Sequence, residues 1–321
     1  MTDIAPWIAR LAARTRDVRS EAVGWARYLK PQRRDRVAIV TDTSAALPDE
    51  VYRLPNGSEL FVLPLPVMIG NQIYTEDDDT LHHDLSIALA AGTTLRTSRP
   101  SPGQFSALYK HVADQGYGHI LSIHLSSKLS GTTDAARVAA QTSPIPVTVL
   151  DSYNAGLALG NAVLDVLIRT RLGLSPQYLA TIATRQTRVA QTYFTVPNLD
   201  TLRKGGRISS LAGLLGQLLQ VRPVMQLQAG AIELVDRPRS EVKALSVITE
   251  LATSAQPPVR IGVQAYGDFD TAHDIATQLQ EHSSMPIPVV RLPAVLAAHL
   301  GLGALGVSIS PDIDYASYGN D

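Results

Sequence analysis

From residue 36 onward the apolar positions fall into short runs, ArgValAlaIleValThr at 36–41, LeuPheValLeuProLeu at 60–65, HisIleLeuSerIleHisLeu at 119–125 and ProValThrValLeu at 146–150. Between them apolar residues recur at helical spacing. Strands alternating with helices predict a largely parallel sheet covered on both faces. Two helix starts are legible where Ser101 precedes Pro102 and Ser175 precedes Pro176, an N-cap followed by the residue best suited to the first helical position. After about residue 156 the pattern becomes helix-rich. It then predicts a hairpin of 224–228 and 232–235 turning at Ala229 and Gly230, with further strands near 259–265, 287–291 and 305–310. The expectation is a two-lobed α/β protein, one lobe from 36 to 155 and the other from 156 to 321.

Residues 1–35 read differently. Ile4, Ile8, Leu11, Thr15, Val18, Ala22, Trp25 and Leu29 are spaced alternately four and three, the seam of an amphipathic helix, and seven arginines flank it. Such a helix packs on its own domain or on a second copy. Alternatively its basic flanks, with Trp7 and Trp25, contact an anionic membrane or a partner.

Composition narrows the classes. A length of 321 residues suffices for two cores, and a formal net charge of −1 gives no electrostatic footprint for nucleic acid. With no cysteine, disulfides, thiolate catalysis and cysteine-held metals are excluded. Neither a secretory leader nor a stretch fit to span a bilayer is legible, so a cytoplasmic protein is expected.

Three strands run into polar clusters: Asp42, Thr43 and Ser44; Ser126 and Ser127; Asp151 and Ser152. Ligands of open α/β sheets sit beyond the carboxyl ends of the strands, so the clusters are expected to converge on one crevice, unless each is only a helix cap. Hydroxyls do not neutralise an anion. Arg207, Arg239 and His299 are the basic candidates, arginine suiting carboxylate or phosphate through its planar fork. Gly301, Gly303 and Gly306 spell GxGxxG, but only 15 residues follow, too few for a dinucleotide-binding unit. No P-loop, nucleophile elbow or zinc-binding helix motif occurs, and His82 and His83 are expected at the surface.

Six segments, taken in order, resemble the DegV family: ThrAspThrSerAlaAlaLeuPro at 41–48, ThrSerArgProSer at 97–101, SerSerLysLeuSerGlyThr at 126–132, AspSer at 151–152, LeuArgLysGlyGlyArgIle at 202–208 and HisLeuGlyLeuGlyAlaLeuGly at 299–306. The resemblance implies a bilobal DegV-like fold with a long-chain fatty acid between the lobes. The carboxylate would lie at Ser98 and His299, with Thr97, Ser126, Ser127 and Asp42 lining the cleft. It further implies a carrier without catalytic residues, cofactor or metal, which presents the carboxylate to a separate ATP-dependent fatty acid kinase. Arg207 and Arg239 would then handle phosphate or contact that kinase, in the service of phospholipid metabolism. Two alternatives are a stand-alone lipid sensor and an acyl or phosphoryl transferase with Ser98 as nucleophile and His299 as base. The chain departs from the family pattern at Pro66, at Leu300 and Leu302, at Gly156, and in carrying the N-terminal extension.

Overall fold

In the computed structural model, which describes residues 4–23, 35–207, 221–256 and 258–312, the N-terminal segment forms helix α1 (Ala5–Val23). Leu11 and Thr15 of its seam are buried, as is Trp7 beside them, the Thr15 hydroxyl donates to the Leu11 carbonyl, and Arg14 pairs with Asp312. The helix therefore packs on its own chain, and Trp7 is spent in that packing rather than offered to a membrane. Trp25 and Leu29 lie outside the described residues.

The first lobe runs β1 (Val37–Asp42), β2 (Leu60–Leu63), β3 (Val67–Ile69), β4 (Gln72–Tyr74), α2 (Leu81–Ala90), β5 (Leu95–Thr97), α3 (Pro102–Asp114), β6 (His119–His124), α4 (Thr132–Ala140) and β7 (Val147–Asp151). The four apolar runs read from the sequence form one all-parallel sheet, ordered β2-β1-β6-β7. Ser101 closes a capping box on α3, its hydroxyl accepting from the Gln104 amide N–H at 3.2 Å while the Gln104 side chain accepts from the Ser101 N–H at 2.8 Å.

The chain continues through α5 (Leu157–Leu167), α6 (Pro176–Val189), β8 (Gln191–Thr195), α7 (Asp200–Lys204), β9 (Val224–Gln228), β10 (Ala231–Asp236), α8 (Glu241–Thr253), β11 (Val259–Tyr266), α9 (Phe269–Leu279), β12 (Val289–Arg291), α10 (Ala294–Leu300) and β13 (Ala304–Pro311). A six-stranded sheet results, ordered β10-β9-β8-β13-β11-β12 and antiparallel except for the β11–β12 pair. The hairpin turns where expected, with Ala229 at φ 45° and Gly230 at φ 86°, as a two-residue turn matched to strand twist requires.

The layers follow from which faces are apolar. Helices α3 and α4 cover one face of the parallel sheet around Phe105, Tyr109 and Ala136. Helices α8 and α9 cover the outer face of the six-stranded sheet around Ile248, Ile275 and Leu279. Between the two sheets lie α5 and α6, and every residue of α5 is buried. Its two most polar residues are matched across that layer: the Asn161 amide donates to the Ser310 hydroxyl at 3.1 Å, and Asp165 pairs with Arg260 at 2.5 Å. Burying those groups is costly unless each finds a partner, so they fix how α5 meets the second sheet.

Candidate functional site

Helix α10 begins at Ala294, whose N–H donates to both carboxylate oxygens of Glu76, at 3.0 and 3.2 Å. An anion at a helix N-terminus satisfies an orphan donor and opposes the positive end of the dipole. The helix then presents Val295, Leu296, His299 and Leu300 to a cavity, positions that share one side at helical spacing. Facing His299 is the end of β5. That strand pairs with β3 in a small three-stranded sheet, β4-β3-β5, which the sequence reading missed because three-residue strands show too little alternation. The sheet delivers ThrSerArg to the cavity mouth. Thr97 Oγ1 lies 2.8 Å from His299 Nε2, and the Ser98 N–H donates to the Pro66 carbonyl at 3.0 Å, so Pro66 anchors the segment through its backbone.

His299 is held well below its ordinary pKa, at about 4, first by burial and then by the positive charge of Arg207. At neutral pH it is therefore uncharged, with one ring nitrogen as donor and the other as acceptor.

The segment 202–207 explains how Arg207 reaches the same place. Helix α7 ends in a Schellman motif: the Gly206 N–H donates to the Arg203 carbonyl at 3.1 Å and the Arg207 N–H to the Leu202 carbonyl at 3.2 Å. Gly206 sits at φ 70°, a left-handed position that asks for glycine, and no neighbour lies within 4 Å of an added Cβ. Gly205, at an ordinary φ of −75°, is needed for another reason: a Cβ there would fall 2.3 Å from His299 Nδ1. One glycine turns the chain and the other makes room for the imidazole. The Arg207 guanidinium then donates from Nε to the Leu129 carbonyl at 3.2 Å and from Nη1 to the Gly205 carbonyl.

The cavity, of about 200 Å³, has two unlike parts. Its polar mouth is lined by Thr97, Ser98, Arg99, Ser130, Arg207 and His299; its body by apolar side chains including Leu65, Leu125, Leu202, Leu227, Ile232 and Leu296. The mouth opens onto a polar vestibule formed by Ser127, Lys128, Ser130, Gly131 and Arg207.

Of the sequence candidates, Thr97, Ser98, Arg207 and His299 meet at the mouth and Ser127 lies in the vestibule. Asp42 does not line the cleft. It is fully buried, accepting from Ser44 and bonded to His124 Nδ1 at 2.8 Å. Ser126 is buried too, its hydroxyl donating to the Gly230 carbonyl at 2.7 Å. Arg239 is exposed beyond the hairpin and lines neither space. The three polar clusters thus converge on one another rather than on a ligand: Asp151 accepts from the Ser127 and Tyr153 N–H groups, and the Ser126 N–H donates to the Asn154 carbonyl. Strand ends carry orphan backbone groups, and these side chains satisfy them. His82 is half-buried, its ring packed on Tyr266, while His83 is exposed.

Sequence reasoning missed Arg99, whose side chain crosses Gly131 so closely that a Cβ there would sit 2.1 Å from Nη1. It also missed a buried chain, Asp42–His124–Ser122, with His124 Nε2 2.7 Å from Ser122 Oγ and Tyr109 OH 2.9 Å beyond. That chain has the order of a hydrolase triad, yet all its members are sealed from solvent and none borders the cavity. At the mouth, Ser98 donates to the Arg99 carbonyl and Thr97 is the hydroxyl bonded to His299, so the Ser98–His299 nucleophile–base pair is not formed. Among the described residues no cluster of His, Asp and Glu has the makings of a metal site, and no helix is long and apolar enough to cross a membrane.

Comparison with known proteins bears on the same span. The family model described as an uncharacterised protein of the DegV family matches residues 36–312. A DegV domain-containing protein of Streptomyces coelicolor is 36% identical over 278 residues, covering 85% of this chain and 98% of the relative. Among solved structures, one described as fatty acid binding of a DegV family protein from Thermus thermophilus superposes with a TM-score of 0.78 at 31% identity, covering 86% of this chain and 99% of the other. Another, described as DegV, a fatty acid binding protein from Bacillus subtilis, gives 0.76 at 28% identity over 86% and 99%. The matched span begins after α1, so the helix is an addition to the shared fold.

Proposed function

Since the chain belongs to the DegV family, we propose that it is a carrier of one long-chain fatty acid. The observation that carries the reading is the cavity itself, with a largely apolar body between a polar mouth and a far wall that includes Gln264 and Thr192. Burying a chain of about 16 carbons at roughly 0.8 kcal/mol per methylene contributes on the order of 10 kcal/mol before ordering costs, so the tail supplies affinity and the head group supplies orientation. The carboxylate would accept from Ser98 and from whichever of Thr97 and His299 is the free donor, with Arg207 close enough to offset its charge.

Placing the carboxylate at the opening onto the vestibule supports the second half of the proposal. A separate ATP-dependent kinase reaches the head group there, the carboxylate oxygen attacks the γ-phosphate, and acyl phosphate and ADP are formed, the carrier itself turning nothing over. Lys128, Arg99 and Arg207 are the cations that would meet the transferred phosphoryl group, and exposed Arg239 would contact the kinase outside the cavity. Such a carrier works in the cytoplasm, in phospholipid metabolism.

The test is lipid analysis of the purified protein by mass spectrometry, wild type beside Ser98→Ala and His299→Ala. Near-stoichiometric fatty acid, diminished in both variants, is expected. No lipid in any sample and no uptake of added fatty acid would refute the carrier reading. The kinase half is tested with loaded protein, ATP and a candidate kinase, trapping acyl phosphate with hydroxylamine. Trapping that does not depend on the carrier would refute it.

A further inference from the structure

The deep end of the cavity is not apolar. Gln264 lines it while only 2% exposed, and its amide is held from both sides: Oε1 accepts from the Leu157 N–H at 3.0 Å and Nε2 donates to Ser308 Oγ at 2.9 Å. Ser308 in turn lies 3.3 Å from Thr192 Oγ1, and Thr192 also borders the cavity. Two hydrogen bonds and full burial leave this side chain one conformation.

Strand register places the group relative to the mouth. His299 ends α10, and β13 starts at Ala304 just beyond it; Gly306 is opposed by Gln264 on one side and Phe194 on the other, and Ser308 by Thr192. At about 3.3 Å per residue the Gln264 row lies roughly 7 Å, and the Thr192 row roughly 13 Å, along β13 from its start. Neither Gln264 nor Thr192 touches the vestibule, whereas Arg207 and Ser130 belong to both spaces. The cavity therefore opens at the His299 end and closes on the hydrogen-bonded row of Gln264, Ser308 and Thr192.

Gly156 makes this stop possible. It stands at φ 65° and ψ −152°, and an added Cβ would lie 2.4 Å from Gln264 Oε1, so the absent side chain is the space the amide fills. Its own N–H donates to the Ser44 carbonyl at 2.7 Å, which fixes it to the first lobe. On the other side Gly306, lacking a side chain between Gln264 and Phe194, leaves a slot over the sheet.

We infer that Gln264 is the residue that ends the acyl channel and sets the longest chain the protein accepts, with Gly156 as the positioning residue that admits its amide. The inference rests on the fatty-acid reading of the cavity. A buried amide makes a sharper stop than an apolar wall. Pushing a methyl group past it means breaking hydrogen bonds to Leu157 and Ser308 that nothing in the ligand replaces.

The experiment loads wild type, Gln264→Ala and Gln264→Met with an equimolar mixture of saturated fatty acids from 12 to 20 carbons and reads the bound distribution by mass spectrometry, with a melting curve for each protein. Truncation to alanine opens room for about two methylenes, so the distribution should move toward chains two carbons longer by roughly tenfold in relative occupancy. Methionine, of similar length, should keep the wild-type limit. If alanine at 264 prevents folding, Gly306→Ala tests the same floor in the opposite direction, since its added methyl meets the Phe194 Cβ at 3.3 Å and the Tyr193 carbonyl oxygen at 3.5 Å and should shift the profile to shorter chains. Wild type that loads no fatty acid sinks the carrier reading. Wild type that loads normally, with Gln264→Ala or Gly306→Ala giving an unchanged profile, or with alanine and methionine shifting alike, sinks this inference alone.

Discussion

Replacing Gly205 by alanine separates the binding site from the fold. The backbone at 205 is helical, φ −75° and ψ −10°, so alanine fits it without strain and should gain about 0.4–1 kcal/mol by restricting the unfolded chain. The side chain has nowhere to go, however, because its Cβ would lie 2.3 Å from His299 Nδ1 and 2.9 Å from Cε1. To restore van der Waals contact the imidazole must retreat by about 1 Å. It borders the cavity and can move there, but the 2.8 Å contact with Thr97 is then lost. Losing a neutral hydrogen bond costs about 1 kcal/mol, and the ring also intrudes on the space for the head group. Affinity for a long-chain fatty acid should therefore fall about five- to tenfold, while the melting temperature of the lipid-free protein stays level, the gain at 205 offsetting the lost hydrogen bond. Displacement of a fluorescent fatty acid measures the first and calorimetry the second. Unchanged affinity would refute the account of why glycine occupies 205. A melting temperature several degrees lower would mean that the substitution damages the fold and not the site.

Gly206→Ala should do the reverse of its neighbour, destabilising by about 1 kcal/mol through the left-handed φ with no new contact at the cavity; equal melting curves for the two variants would contradict the division of labour. Because burial and Arg207 hold the pKa of His299 near 4, a bound carboxylate that offsets Arg207 should raise it, so binding takes up protons. Affinity should then increase as pH falls through the bound-state value toward about 4, by no more than tenfold per pH unit, and a His299→Gln variant should lose that dependence; a wild-type profile as flat as the variant's would argue against carboxylate binding beside His299. Burial alone would raise the pKa of Asp312, but Arg14 and Arg260, with a bond from Ser284, hold it below the usual carboxylate range. A depressed carboxylate stabilises the folded state above its unfolded pKa and loses that contribution as pH falls through the folded value. Arg14→Ala should thus cost about 1–3 kcal/mol near neutral pH and less near pH 3, and equal losses by calorimetry at both would refute the pairing.

Much of this was legible in the sequence, and the parts that were not have physical reasons. The four parallel strands, the hairpin turn and the Ser101 and Ser175 caps each rest on patterns within about ten residues, and the structure carries them all. The small sheet of β3, β4 and β5 escaped because its strands are three residues long, although it is what brings Thr97 to His299. Asp42 and Ser126 read as ligand contacts because a polar residue after a strand looks the same whether it meets a ligand or satisfies the next loop. Only tertiary structure revealed that they do the latter. Gly205 and Gly206 are alike in sequence, and their separate jobs depend on a histidine more than 90 residues away. Gln264 sits in a buried strand with no neighbouring motif, so nothing local set it apart.

The shared layer of α5 and α6 bears on how cargo can leave. Helix α5, buried along its whole length between two sheets and tied to the second by Asn161 and Asp165, holds the two sheets against each other. On the proposed carrier reading the acyl chain would then slide out lengthwise, each methylene re-entering water in turn, so spontaneous exchange should be far slower than for a hinged binding protein. Stopped-flow exchange of a labelled fatty acid would show it, and millisecond release would rule it out. Modification of the carboxylate while the tail remains enclosed is then the faster course. In the proposed carrier the chemistry would come to the cargo because the cargo would be slow to come to the chemistry.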